Sequence, residues 1–404
     1  MARPANEDDI HIREDTMPFH PLDFYMLDEL LGEEEILIRE TARKFVDHEV
    51  IPIAAEHWEA ATFPKELIKK MGELGFLGPF VPAEYGGAEC SYTMYGLICH
   101  ELERGDSGVR SFASVQGSLV MYPIWKFGSQ EQKQEYLPKL ASGEIVGCFG
   151  LTEPDYGSDP GGMITTARRD GDRWVLNGAK MWITNGTVAD VAVVWAKLGG
   201  EVRGFLVERG TPGFSAPEMK GKHSLRASVT SELILQDVRV PKANMLPGGK
   251  GLKLPLSCLS QARYGIAWGA VGSAMACYDS ALAYAKTRIQ FGKPIGSFQL
   301  IQAKLVEMLT EITKGQLLCV QLGRIKDAGR VRFQQISLAK RNNVDMALRI
   351  ARNARAVLGA NGILDEYPVM RHAANLESVV TYEGTHEMHT LIVGEDITGI
   401  AAYA

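Results

Sequence analysis

Cysteine is sparse in this chain and follows no pattern. Cys90, Cys99, Cys148, Cys258, Cys277 and Cys319 are scattered, with no Cys-x-x-Cys pair among them. That spacing offers neither a zinc site nor a disulfide framework and suits a reducing compartment. Long apolar runs are missing too, each being soon broken by charge, which leaves no candidate membrane span. Basic residues are not in excess: the formal net charge is -6, so bulk charge gives no reason to expect nucleic acid or an anionic membrane as partner. The stretch from Met1 to Thr16 is acidic and has no apolar core, unlike a secretory signal or an Arg-rich transit peptide. Together these absences predict a soluble cytoplasmic protein.

Several familiar site signatures are also lacking. There is no Gly-x-Gly-x-x-Gly opening a βαβ unit, no Walker phosphate loop and no Gly-x-Ser-x-Gly elbow. Any nucleotide is therefore expected outside a Rossmann frame. His386-Glu387-Met388-His389 falls short of a metalloprotease motif because its histidines stand three apart, and no metal is expected there.

What is present is enough to bury two or three domain cores: 404 residues, 46% hydrophobic and 23% charged. Apolar residues recur at helical spacing from Glu33 to Glu56, behind a Glu33-Glu34-Glu35 start suited to the positive end of a helix dipole. Further helical text runs through Pro64 to Gly75 and Ser91 to Glu103. Near Cys148 the texture changes to short β-rich runs, Trp174-Val175-Leu176, Val191 to Trp195, Gly204 to Val207 and Leu233 to Leu235, punctuated by Gly, Asn, Asp and Pro. Beyond Lys250 helical periodicity returns over Ile266 to Arg288, Leu300 to Asp327 and Ser337 to Leu358. The predicted organisation is α+β and multidomain: a helical domain over 1–147 with a polar arm over residues 1–24, an antiparallel β domain over 148–250, and a helical bundle over 251–404.

Two strings could carry chemistry. Phe149-Gly150-Leu151-Thr152-Glu153-Pro154-Asp155-Tyr156-Gly157-Ser158-Asp159 groups small, hydroxyl and glycine residues that can turn backbone N–H groups toward an anionic or polar ring system. On residue types alone it reads as readily as a Pro-Gly turn with capping hydroxyls. Lys180-Met181-Trp182-Ile183-Thr184-Asn185 offers an indole to stack on a flat group and a hydroxyl to bond its edge, or simply a strand with a tryptophan.

Taken together, in this order and at the helix-to-sheet junction, the two strings resemble the flavin site of the acyl-CoA dehydrogenase family, and the resemblance extends from about Glu33 to Ala404. It implies a middle β-barrel or sandwich, a C-terminal four-helix bundle and FAD as cofactor. Phe149, Leu151, Thr152 and Ser158 would line the flavin and its pyrophosphate, with Ser158 also near the thioester. Trp182, Ile183 and Thr184 would lie at the isoalloxazine, and Thr385 and Glu387 would add cofactor contacts. Arg288, Phe291 and Gln299 resemble a family segment that reaches the FAD of a neighbouring subunit, which implies a homo-oligomer, usually a tetramer. Without the resemblance, Arg288 is a helix-terminal cation. Leu358-Gly359-Ala360-Asn361-Gly362 resembles the family's Leu-Gly-Gly-Asn-Gly turn, with Ala360 departing from it. An electron-transferring flavoprotein is the expected acceptor.

Abstracting a proton α to a thioester needs a carboxylate held where water is excluded. By resemblance that group is Glu383, beside Gly384, which leaves room for an acyl chain; on its own the Glu-Gly pair also reads as a solvated turn. Some relatives carry the base just before the CoA-binding arginine, but Ala262 precedes Arg263 here and cannot take a proton. The charged stretch from Glu101 to Gln116 contains Arg110, whose guanidinium could hold a substrate's distal carboxylate through both oxygens, or could pair at the surface with Asp106 or Glu103. With the segments around Ala262, Lys340 and Thr381, this stretch is more similar to the glutaryl-CoA branch of the family than to its monocarboxylic branches. That similarity puts Arg110 and Ser111 on the γ-carboxylate of glutaryl-CoA, Glu103 and Tyr382 nearby, and decarboxylation after dehydrogenation.

Overall fold

The computed structural model describes residues 23–402, so most of the proposed polar arm lies outside the described residues. Helices build the first third: α1 (Glu33–Phe45), α2 (Ile51–Ala60), α3 (Glu66–Glu73), α4 (Tyr92–Gly105), α5 (Ser107–Ser114), α6 (Tyr122–Phe127) and α7 (Gln130–Ser142). The acidic start of α1 does more than face the dipole. Glu35 accepts the backbone N–H of Gly32 at 2.8 Å and is salt-bridged to Arg324 from the far helical region. Ser91 caps α4 by accepting Met94 N–H at 3.1 Å.

Between α4 and α5 the chain changes direction at one residue. Asp106 is extended, ends α4, and starts α5 by accepting Gly108 N–H at 2.7 Å. The break turns the last residues of α4 and the first of α5 into one polar cluster inside the protein. α5 then passes into a π-helical stretch, Val115–Met121, that leads to α6. There Gln116 donates to the carbonyls of Leu140 and Ile145 and accepts from Gly147 N–H, at 2.8 to 2.9 Å, fixing where the chain enters the sheet.

The sheet contains β1 (Gly147–Gly150), β2 (Thr166–Asp170), β3 (Arg173–Thr184), β4 (Val191–Leu198), β5 (Glu201–Glu208), β6 (Phe214–Ser215) and β7 (Thr230–Pro241). Its order is β1-β4-β2-β3-β7-β6, with β5 on β4. Pairing is antiparallel for most neighbours, as the turn-punctuated sequence implies; β1 and the start of β2 instead run parallel to β4. β1 can be parallel because it arrives from the helical region rather than through a hairpin.

The last third comprises α8 (Lys253–Thr287), a small hairpin of β8 (Ile289–Gln290) and β9 (Lys293–Pro294), then α9 (Gln299–Asp327), α10 (Phe333–Val357), α11 (Val369–Val379) and α12 (His386–Thr398). α8 is buried on nearly every side along its middle, the position of a helix surrounded by others. Gly269 and Gly272 let it lie directly on α4: a Cβ on Gly272 would fall 1.9 Å from the His100 carbonyl oxygen. Among the described residues no helix is long and apolar enough to cross a membrane.

Candidate active site

The two strings singled out in the sequence lie side by side. Met181 N–H donates to Thr152 O at 2.9 Å, and Lys180 Nζ donates to Leu151 O at 3.1 Å. Lys180 is also ion-paired with Glu153 at 2.9 Å in the interior, and Glu153 accepts the N–H groups of Ile164 and Thr165. A buried pair thus staples the loop after β1 to β3. Neither Lys180 nor Glu153 was given a role from sequence, although a lysine in an otherwise β-rich run was a signal.

Beside this staple, the register of β3 against β7 slips between Lys180 and Ile183, and Trp182 takes a left-handed φ of 63°. The bulge turns the indole outward, 59% exposed, while Ile183 stays buried in the sheet core, leaving its backbone to face a ligand. Thr152 and Thr184 are half-buried, Ser158 is exposed, and the side chains of Phe149 and Leu151 are buried beneath the loop.

A second cluster gathers residues far apart in sequence. Arg110 is 1% exposed, so the surface-pair reading fails; it does pair with Glu103, at 2.5 Å, but inside the protein. Ser107 donates to the other Glu103 oxygen at 3.0 Å, and Ser111 is buried alongside. Arg110 Nη2 donates to the Tyr382 hydroxyl, and its guanidinium lies 5.7 Å from that ring's centroid. Burial alone would weaken the cation, but Glu103 beside it holds the guanidinium firmly protonated. Both N–H groups of Nη1 and the second of Nη2 remain as donors.

Glu383 follows Tyr382 in the turn between α11 and α12, at a left-handed φ of 51°. Its Oε2 is buried without a hydrogen-bond partner. Burial pushes the carboxyl well above the usual carboxylate range, against the pull of Lys340, Arg110 and Arg263. Arg263 Nε donates to the Glu383 carbonyl at 2.6 Å, and Lys340 Nζ donates to the carbonyls of Tyr382 and Gly384. Gly384 has φ 95°, and a Cβ there would meet His389 Nε2 at 2.9 Å. Thr385 caps α12, and Glu387 is exposed in its first turn. Lys340 was given no role of its own from sequence, yet it falls at the buried spacing Ile336, Lys340, Asn343, Ala347 of α10. A lysine in a core stripe was the available sign.

Arg288 and the turn from Leu358 to Asn361 stand apart from this cluster. They line a common cavity of about 260 Å³ with Tyr284 and Gln290, and Asn361 donates to the Tyr284 hydroxyl at 3.0 Å. Ala360 lines it without disrupting the turn, whose left-handed residue is Gly359. Phe291 is 92% exposed, and Gln299 opens α9 at the surface.

Sequence profiles of the acyl-CoA dehydrogenase N-terminal, middle and C-terminal domains match residues 32–144, 148–238 and 249–398. The chain belongs to the acyl-CoA dehydrogenase family. This acyl-CoA dehydrogenase is 56% identical to a crystal structure of glutaryl-CoA dehydrogenase from Mycobacterium smegmatis, with a TM-score of 0.93 over 95% of this chain and 99% of that one. A glutaryl-CoA dehydrogenase from the same organism in complex with FADH2 is 54% identical, with a TM-score of 0.94 and the same coverage. The short-chain specific acyl-CoA dehydrogenase of Rattus norvegicus mitochondria is 38% identical over 369 residues, 90% of each chain.

Proposed function

We propose that this acyl-CoA dehydrogenase oxidises glutaryl-CoA with FAD and then decarboxylates the product to crotonyl-CoA and CO2. An electron-transferring flavoprotein in the cytoplasm then takes the electrons. The observation that carries the substrate reading is the buried guanidinium of Arg110, held by Glu103 and by Tyr382, the neighbour of an unpartnered carboxylate. A substrate with a thioester at one end and a carboxylate at the other satisfies both groups; a monocarboxylic chain leaves Arg110 facing hydrocarbon.

The residues fit a flavin. An exposed indole on a strand bulge, flanked by Thr152 and Thr184, is an apolar ring surface that a flat ring system would cover. Phe149, Leu151, Ser158, Ile183, Thr385 and Glu387 complete the proposed contacts. When bound, FAD supplies the acceptor for the hydride leaving the β carbon.

The chain's own residues do the rest. Arg110 and Ser111 hold the γ-carboxylate, Tyr382 orients Arg110, and Arg263 binds toward the CoA side while fixing the Glu383 carbonyl. Glu383 takes the α proton, and its backbone N–H stabilises the negative thioester oxygen. Loss of the γ-carboxylate as CO2 leaves its bonding electrons in a dienolate. The proton stored on Glu383 then returns to that dienolate, giving crotonyl-CoA.

Anaerobic mixing with glutaryl-CoA tests the reading directly. Flavin absorbance should bleach, with crotonyl-CoA and CO2 identified by mass. Bleaching only by butyryl-CoA would keep the family and discard this substrate, and glutaconyl-CoA without CO2 would discard decarboxylation. In Glu383→Gln the thioester should still bind while bleaching stops.

A further inference from the structure

The turn carrying Glu383 is gripped by cations. Lys340 Nζ donates to the carbonyl of Tyr382 and, at 2.6 Å, to that of Gly384, while Arg263 Nε donates to the intervening Glu383 carbonyl at 2.6 Å. Three successive carbonyls are therefore tied to α8 and α10. Glu383 itself occupies the left-handed region, which a residue with a Cβ holds only when its surroundings dictate it. Lys340 is 1% exposed, a placement that hydrophobic packing alone would not choose. Its tetrahedral ammonium has three donors and can bridge carbonyls two residues apart, which an apolar side chain of equal length cannot.

We propose that Lys340 is a positioning residue for the proton transfer: by gripping the carbonyls on both sides of Glu383, it fixes the left-handed turn that aims the carboxylate at the substrate's α carbon. This rests on the reading of Glu383 as the base. It separates the two cations near the turn, with Arg263 on the central carbonyl and Lys340 on the outer two. The groups facing Glu383 are Lys340 from α10, Arg263 and Cys258 from α8, Arg110 from α5, His389 from α12 and the adjoining Tyr382. His389 is depressed by burial and by Lys340 and Arg263 to about 2 and stays neutral, and the Cys258 thiol is pushed up by burial. Burial, with Arg263 and Arg110 beside it, pulls the Lys340 ammonium down to about 7 against the pull of Glu383, so the two arginines carry the permanent positive charge around the base and Lys340 adds to it while protonated.

The test uses the flavin-loaded enzyme with Lys340→Met, Lys340→Gln and Glu383→Gln. In Lys340→Met the rate of flavin reduction in a single turnover should fall about 100-fold, the cost of a misaligned reacting group. Thioester affinity should change little, separating kcat from KM. Amide hydrogen exchange at Glu383 to Thr385 should quicken, and the pH profile of reduction should move alkaline because a cation beside the carboxylate is gone. Lys340→Gln keeps two donors and should recover part of the rate. Should Lys340→Met fail to fold, Lys340→Gln carries the same measurements, with a smaller loss expected. Wild-type rate, pH profile and exchange protection in the folded Lys340 variants, with Glu383→Gln inactive, would overturn the role of Lys340 alone. Undiminished reduction in Glu383→Gln would overturn the base, and this proposal with it.

Discussion

At the scale of single residues, the site sets a buried carboxylate without a hydrogen-bond partner close to three cations. Burial dominates for Glu383 and raises it to about 7. A raised carboxyl is protonated, and useless as a base, below that value. kcat/KM for the thioester should therefore rise with pH through about 7 and flatten above it, as measured by steady-state rates in a constant-ionic-strength buffer series. A profile already flat from pH 5 would remove burial as the cause of tuning. The sequence pointed to Glu383 as the proposed base through the family resemblance, with Ala262 emptying the alternative position. The grip of Lys340 was not legible there, because hydrogen bonds from a side chain to distant carbonyls leave no local pattern.

Arg110 belongs to the same scale and shows where spacing misleads. Charged residues three, four and seven apart left a surface ion-pair network open beside the carboxylate-binding reading, but the extended Asp106 breaks the helix and folds them inward. Removing Arg110 alone would strand the buried carboxylate of Glu103, a defect that costs about 3–5 kcal/mol of stability by itself. The informative variant is therefore Arg110→Met with Glu103→Gln. It should lose about 10- to 100-fold in kcat/KM for glutaryl-CoA, the worth of a charge-assisted hydrogen bond, while butyryl-CoA is spared. Equal losses on the two thioesters would reduce the pair to a structural role.

At the scale of elements, the long helices and the strands were readable from periodicity, since each buries one face. The irregularities that build the site were not: the break at Asp106, the bulge under Trp182 and the π-helical stretch around Gln116 each depend on long-range partners. The contact between α4 and α8 sets the position of Glu103 and, through it, of the proposed substrate-binding Arg110. A Cβ on Gly269 would fall 2.0 Å from Glu103 Oε2 and 3.2 Å from Arg110 Nε, whereas one on Gly272 would strike backbone. Both Gly269→Ala and Gly272→Ala should be destabilising by about 1–3 kcal/mol, as overpacked cores are. Only Gly269→Ala should also shift the preference from glutaryl-CoA toward butyryl-CoA, because it displaces the Glu103 carboxylate that holds Arg110. Thermal melts and paired kcat/KM values separate the two; unchanged preference in a folded Gly269→Ala would show that Arg110 can be displaced without consequence.

At the scale of the whole molecule, the hairpin and the start of α9 carry apolar side chains left exposed among the described residues. Phe291 is 92% exposed, Leu300 80% and Ile289 52%. Grouped exposure of this kind marks an interaction surface more often than free protein surface. Arg288 follows α8 at the same corner and lines the cavity beneath the turn from Leu358 to Asn361. A second copy covering the hairpin would bring Arg288, Phe291 and Gln299 to its own flavin, which is the role the family resemblance implies for them. Phe291→Asp should then do two things together: reduce the proposed tetramer to smaller species in sedimentation velocity, and lower the flavin-to-protein ratio after gel filtration, with added FAD partly restoring both. The two readouts are coupled because a ligand bound across an interface stabilises the assembled form by mass action. If Phe291→Asp dissociates and still retains its full complement of flavin, the hairpin is an assembly surface alone, and the cofactor is held entirely by the loop after β1, the bulge at Trp182 and the residues around Thr385.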